Sequence, residues 1–232
     1  MKQLVIAIIL PITMGFAQTP SPDHLRSIRV HGVGTVSTTP DQVRLTVQVH
    51  AREASASSAM KATSSRSREV LSLLSGYGVK SEDIQTSRVT VSPVLDYEKR
   101  IQPPPIVGYT GSNEFTVIFK GTVMDKVGEF MDKAVAAGAS SFGSLQFESS
   151  KARDLERDAL VNAAADARAR ATVLAKELGA TLGRINEVSE SPAAPMPMLR
   201  TGALSVTAES SSPVASGEVT VRAEVIVVFE LE

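Results

Sequence analysis

Histidine is the residue type with the clearest chemical potential in this chain, and two of its three histidines are placed where they could meet. Residues 28–37 and 43–52 both alternate apolar and polar side chains, and residues 38–41 between them are typical of a turn. A hairpin closed there puts His31 opposite His50 on its polar face. Such a pair could bind a transition metal or change charge near neutral pH. Because no third ligand is evident and two arginines lie beside the pair, we predict a solvated or interface-facing pair and no metal site.

Two methionines in a proline-rich segment are the second candidate. Met196 and Met198 flank Pro197, and thioether ligands suit Cu(I) in an exported protein. Methionine in such a setting is more often an adaptable apolar contact. With Leu199 and Leu204 close by, we interpret these residues as a contact to a neighbouring subunit, another protein or a membrane surface.

Catalytic constellations are not evident. Serines are numerous, but the chain has no Gly-x-Ser-x-Gly elbow and no histidine near a plausible nucleophile. Gly32 and Gly34 lack the third glycine and the strand–turn–helix setting of a dinucleotide site. They are better explained as positions in a strand where another backbone or helix comes close. We predict no catalytic or cofactor-binding residues and no cofactor; an uncharacterised hydrolase is a remote alternative.

Composition narrows the classes of partner. The formal charge is −1, and the basic clusters at residues 64–68 and 168–170 have no interleaved aromatic side chains, which argues against nucleic acid. The chain has no cysteine, which excludes disulfides, thiol catalysis and cysteine-ligated metal.

The N-terminus has the pattern of a secretory signal. Lys2 precedes an apolar run that ends near Met14, and small residues precede a possible cut after Ala17. The run is too short for a membrane span, which needs about 20 apolar residues. We predict a signal peptide at residues 1–17, a flexible mature N-terminus at 18–27, and an exported product.

The elements that must position these residues are organised around a long helix at residues 151–179. The spacing of its residues predicts an ion pair between Asp166 and Arg170 at i,i+4. It also predicts an apolar stripe, mostly of alanine, that can pack closely on a sheet. The stripe comprises Leu160, Ala163, Ala164, Ala167, Ala171, Leu174, Ala175 and Leu178.

The whole pattern predicts the order ββαββαβαββ. Tight connections indicate mainly antiparallel sheets with helices packed on one face, which is an α+β fold. Residues 98–105 form a charged, proline-rich hairpin tip, and residues 218–232 form a long final strand. Between the last two strands, residues 191–217 are rich in Pro, Ser, Ala and Met and are predicted to be a long loop.

Several short motifs, in this order and spacing, resemble the SIMPL-domain family over residues 28–232. They are LSGYGV at 74–79, EDIQT at 82–86, VSP at 91–93, GY at 108–109, AAGA at 136–139, DARARA at 166–171, LG at 178–179, and Pro213 with Gly217-Glu218.

This resemblance implies a periplasmic or outer-membrane-associated protein, homo-oligomers that can form ring- or channel-like assemblies, and protection against oxidative stress. It implies no catalytic residues. We therefore expect an exported, non-enzymatic, homo-oligomeric protein with a structural or protective role. The alternative is a monomeric protein-binding module that presents residues 191–217.

Overall fold

The computed structural model describes residues 26–99, 101–198 and 216–232, and for residues 191–198 the backbone alone. The predicted order ββαββαβαββ is confirmed over this part of the chain. Short 3₁₀ turns at Ser81–Asp83 and Gly121–Lys126 precede β3 and α2. The elements are β1 (Ser27–Thr38), β2 (Gln42–Glu53), α1 (Ala56–Gly76), β3 (Ile84–Leu95), β4 (Ile106–Lys120), α2 (Val127–Ala136), β5 (Ser141–Glu148), α3 (Ala152–Glu177), β6 (Leu182–Met198) and β7 (Glu218–Leu231).

The strands form two antiparallel sheets, so the α+β prediction is confirmed. One sheet has three strands in the order β1-β7-β6, and the other has four in the order β3-β4-β2-β5. The four-stranded sheet is therefore built from one continuous stretch of chain. The three-stranded sheet joins the first strand to the last two.

The predicted β1–β2 hairpin is wrong. Ser27–Thr38 pairs with β7, and Gln42–Glu53 pairs with β4 and β5. The residues between them cross from one sheet to the other, where the N–H of Asp41 donates to the carbonyl of Glu148 (3.1 Å) and the N–H of Gly121 donates to that of Asp41 (3.1 Å). Alternation shows which face of a strand is buried but does not identify its neighbour, and each strand found another partner with a matching face.

The four-stranded sheet buries one face beneath α1 and α2. Alternate residues of β2 and β4 point into this core, as the period of two requires. Phe119 packs on Phe130 of α2, with 5.3 Å between ring centroids, and Tyr77 meets Phe130 edge to face at 5.9 Å. The largest fully buried side chains here include Val43, Leu45, Val47, Val49, Val70, Leu74, Phe115, Val117 and Phe119.

The three-stranded sheet is covered by α3 through a line of alanines. Ala159, Ala163, Ala167, Ala171 and Ala175 are all buried, one turn apart. Leu174 and Leu178, predicted to lie in the buried stripe, are instead 46% and 72% exposed.

The close approach predicted at Gly32 and Gly34 explains why the alanines of α3, and not these two leucines, face the sheet. A Cβ on Gly32 would lie 2.2 Å from the carbonyl oxygen of Ala163, and one on Gly34 would lie 2.0 Å from that of Ala159. The backbone of α3 therefore packs directly against the backbone of β1. Only the smallest side chains fit between them, so the alanine line faces the sheet and the leucines turn outward.

Two predicted boundaries need correction. Strand β6 continues through residues 191–198, which we predicted as the start of the long loop, and residues 199–215 lie outside the described part of the chain. At the other end, Ser27 is already in β1, and the carbonyl of Arg26 accepts from the N–H of Leu231 (2.7 Å), so these residues are not part of a flexible N-terminus. The predicted signal peptide lies outside the described residues.

Among the helices of the described residues, none combines the length and apolar character that crossing a membrane requires.

Candidate interaction surfaces

The two candidate histidines are not brought together, because they lie on strands of different sheets. His31 is on the outer face of β1, where its Nε2 lies 3.1 Å from Oε2 of Glu224 on β7. The backbone of His50 is held by Ser140 Oγ, 2.9 Å from its N–H, and by Arg66, which donates to its carbonyl (3.0 Å). The predicted cross-strand pair does not exist. Over the residues that the structure describes, no three His, Cys, Asp or Glu side chains are grouped as a metal site.

The second candidate group is placed only in part. Met196 and Met198 lie near the end of β6, opposite Thr220 and Glu218 of β7. Leu199 and Leu204 fall outside the described residues. The proposed contact role of these four residues stays a prediction.

Charged side chains on the outer face of the three-stranded sheet form a small network around His31. Arg222 Nε donates to Glu224 (2.9 Å), and this hydrogen bond holds the pKa of Glu224 below its usual range. Arg29 Nη2 reaches Glu187 of β6 at 3.3 Å. Because these ion pairs are solvent-exposed, they fix the positions of the side chains but contribute little to the stability of the fold.

Two backbone groups on the free edge of β1 are hydrogen-bonded to side chains of α3. The N–H of Val33 donates to Oδ2 of Asp166 (2.9 Å), and Nδ2 of Asn162, one turn earlier, donates to the carbonyl of Thr35 (3.4 Å). The predicted Asp166–Arg170 pair is confirmed at 2.9 Å. The hydrogen bond from Val33, then that from Arg170, lowers the pKa of Asp166.

Residues 29–31 of β1, nearer its N-terminal end, border a groove between β1 and α3. The groove encloses about 600 Å³, and the side chains on its α3 side include Val173, 60% exposed, and Leu174. Arg29, His31 and Arg170 lie around it. We call this the α3–β1 groove.

The tip of the β3–β4 hairpin is the second exposed apolar surface. β2 ends opposite Tyr109, so the hairpin continues beyond its neighbour. Within this end, the N–H of Asp96 donates to the carbonyl of Pro105 (2.9 Å). Four large apolar side chains are exposed here: Tyr97 (72%), Ile101 (56%), Ile106 (53%) and Val107 (46%). We call this end of the β3–β4 hairpin the hairpin tip.

Sequence reasoning described this tip only as charged and proline-rich. The signal that it missed was Ile101 and Ile106 on either side of a run of three prolines. Proline has no backbone N–H and is excluded from helix interiors and central strands. Apolar residues beside a run of prolines therefore lie outside the helices and strands that would bury them.

A polar cleft lies between the C-terminal end of α1 and α2. It encloses about 630 Å³, and its walls include Tyr77, Lys126 and Lys133. Lys133 lies 5.6 Å above the Tyr77 ring and 2.6 Å from Glu129. Hydrogen bonding between them raises the pKa of Lys133 and lowers that of Glu129. Two lysines and two glutamates line the cleft, so its formal charges balance.

Comparison with known proteins identifies the family of this chain. The model of the SIMPL family, described as a protein of unknown function (DUF541), matches residues 28–229. The chain is 31% identical to the 26 kDa periplasmic immunogenic proteins of Brucella melitensis and of Brucella abortus strain S19. Each match extends over 214 residues, which is 88% of this chain and 84% of the relative. The chain therefore belongs to the SIMPL family.

Proposed function

We propose that this protein is exported and acts in the periplasm or at the outer membrane as a non-enzymatic homo-oligomer with a structural or protective role. Export is supported by the signal pattern of residues 1–17 and by the relatives, which are called periplasmic. The protective role is supported by the family resemblance.

The observation that carries the oligomer is the exposure of large apolar side chains in two separate places. The hairpin tip exposes Tyr97 and Ile101, and the α3–β1 groove exposes Val173 and Leu174. Contiguous apolar patches are unusual on the surface of a monomer and mark sites of protein contact.

The mass of the native assembly tests the oligomer. The mature chain, beginning at Gln18, is purified and studied by sedimentation velocity and light scattering at low micromolar concentration. We expect a discrete species at a multiple of the chain mass. A sharp monomer would overturn the oligomer and favour the binding module. In that case, deletion of residues 199–215 would be expected to abolish partner capture while leaving the circular dichroism spectrum unchanged.

Export and protection are tested separately. Mass spectrometry of protein from the periplasmic fraction should give a chain that begins at Gln18, whereas an intact Met1 would overturn cleavage. A deletion strain should be more sensitive to peroxide and be rescued by the full gene, but not by a version without residues 1–17. Equal rescue by both versions would contradict a role after export.

A further inference from the structure

We propose that two copies of this chain join through the free edge of β1, where residues 29–31 pair antiparallel with the same residues of the second copy. This inference rests on the proposed homo-oligomer and names a surface on which two subunits meet. The α3–β1 groove of each copy is then covered by β1 and α3 of the other.

The first observation is a short length of unpaired strand. Residues whose backbone groups point to the same edge alternate along a strand. Val33 points to the free edge, because its N–H donates to a carboxylate of α3, whereas Arg26 points to β7, because its carbonyl accepts from that strand. Arg29 and His31 therefore share the edge of Val33. Within the described chain, their backbone N–H and carbonyl groups have no partner.

The positions of the α3 hydrogen bonds set the register of the added strand. Side chains of α3 already bind the N–H of Val33 and the carbonyl of Thr35, so the free backbone groups lie on the N-terminal side of Val33. An antiparallel copy of β1 centred on Val30 places Arg29 of each copy opposite His31 of the other. Opposed residues of this kind exchange both N–H···O bonds. The unpaired groups of one copy are thus satisfied by the same groups of the second copy.

Symmetry adds an apolar contact that a single added strand lacks. The two-fold axis that relates two antiparallel strands is perpendicular to their sheet, so both α3 helices lie on the same face of the joined sheet. Val173 (60% exposed) and Leu174 (46% exposed) line the groove on its α3 side. The second copy brings the same two side chains to the open side. The apolar side chains beside the junction therefore cover one another, and this favours a second copy over an isolated peptide as the occupant.

Charge neither selects this contact nor opposes it. On the outer face of the sheet, Arg29 pairs with Glu187 (3.3 Å) and His31 pairs with Glu224 (3.1 Å) of the same copy. The cations that meet across the two-fold axis are thus already matched by carboxylates. The unpaired backbone groups and the apolar side chains of α3 select the partner.

The contact is isologous, because each copy contributes the same surface. It closes at two copies and leaves no free β1 edge. The two three-stranded sheets become one continuous sheet, with the β1 strands at its centre. A strand edge that would otherwise invite wrong pairing is covered.

Engineered cysteines test the register, because the natural chain has none. The mature Arg29→Cys and His31→Cys variants are oxidised separately and as a pre-equilibrated equimolar mixture, then separated without reductant. We expect the mixture to form covalent dimer at least about tenfold faster, because only the mixed pair lies directly opposite. Thr35→Cys, exposed on the same face of β1, is the control and should not accelerate cross-linking with either variant.

Charge insertion tests the helix contact at an exposed site, where folding is not at risk. Val173→Asp should weaken assembly by at least about tenfold, because it brings two like charges together and removes an apolar anchor. Val161→Asp is the matched control, because Val161 is 63% exposed on the same helix but does not line the groove.

A proline tests the backbone pairing separately. His31→Pro removes an N–H that the fold of one copy does not use, and an edge strand tolerates proline where its N–H faces outward. We expect the circular dichroism spectrum to be kept and the dimer to be lost. Thr35→Pro, on the part of the same edge that α3 closes, should leave assembly unchanged. A dimer that persists in His31→Pro overturns the strand pairing.

The failures of the two proposals are distinguishable. An unmodified chain that sediments as a monomer overturns the proposed function itself. An oligomer overturns only this interface if the cysteine mixture cross-links no faster than the single variants, or if Val173→Asp keeps its mass. If Val173→Asp keeps its mass but loses binding of an extended valine–threonine peptide, the groove receives a foreign strand and this interface is likewise overturned.

Discussion

The backbone N–H of Val33 in the first strand and the carboxylate of Asp166 in the longest helix form a hydrogen bond of 2.9 Å. It joins α3 to the sheet that the helix covers, and it occupies a backbone donor at an edge where another strand could pair. Asp166 was visible in the sequence as half of an ion pair with Arg170. Its second partner could not be read from spacing, because it lies 133 positions away.

Asp166→Asn should remove a pH-dependent contribution to stability. The pKa of Asp166 is lowered in the folded protein, so its contribution is complete above the ordinary value of 3.8 and is lost as pH falls through the folded-state value. We expect the difference in Tm between natural protein and variant to be constant above about pH 5 and to shrink toward pH 3. A difference that persists unchanged at pH 3 would contradict this role for the carboxylate.

Gly34→Ala should be strongly destabilising. The added Cβ would lie 2.0 Å from the backbone oxygen of Ala159. No change of side-chain rotamer can relieve this clash, because the clashing atom belongs to the backbone. We expect a loss of about 3 kcal/mol in the free energy of unfolding, measured in urea. The matched control is Gly76→Ala at the end of α1, where nothing lies within 4 Å of the added Cβ. Helix propensity makes that change neutral or stabilising by up to about 1 kcal/mol. Similar losses in both variants would show that helix–strand contact is not the cause.

Asp41 and Ser150 should behave as one unit. The N–H and Oγ of Ser150 donate to the two oxygens of Asp41, at 2.7 Å and 2.6 Å. Burial raises the pKa of Asp41, but the hydrogen bonds from Ser150 outweigh it and the net shift is downward. Because the site is largely exposed, we expect Asp41→Ala to cost about 1 kcal/mol. The double variant with Ser150→Ala should lose less than the sum of the two singles. Strict additivity in urea unfolding would refute the coupling.

The Arg44–Glu148 pair should contribute more than an ordinary surface ion pair. Arg44 donates from Nε (2.7 Å) and Nη2 (3.0 Å) to the two oxygens of Glu148, joining β2 to the short edge strand β5. Because the Arg44 guanidinium makes two hydrogen bonds of fixed geometry, we expect a coupling energy of about 0.5–1 kcal/mol in a double-mutant cycle with alanine. The Lys80–Glu82 pair, 3.6 Å apart and more than 70% exposed on both sides, is the control and should show almost none. Equal coupling in the two cycles would rule out an effect of the bidentate geometry.

Periodicity was sufficient to predict the elements and their order, because burial of one face imposes a repeat of two on a strand and 3.6 on a helix. It was not sufficient to predict partners. His31 and His50 lie on strands with equally good alternation, and only the three-dimensional structure shows that these strands belong to different sheets. The same limit applied to α3, where the backbone contact at Gly34 decided which side of an alanine-rich helix faces inward.

The position of β7 between β1 and β6 also sets an order of events for a chain that is synthesised from its N-terminus. The strands from β2 to β5 can pair as soon as residue 148 has emerged, since all their partners precede it. The first strand must wait for the last, because its whole ladder is with residues 219–230. Until then β1 has no strand with which to pair, and this is the interval in which the growing chain is most exposed to wrong pairing. Truncation before Glu218 would make that interval permanent.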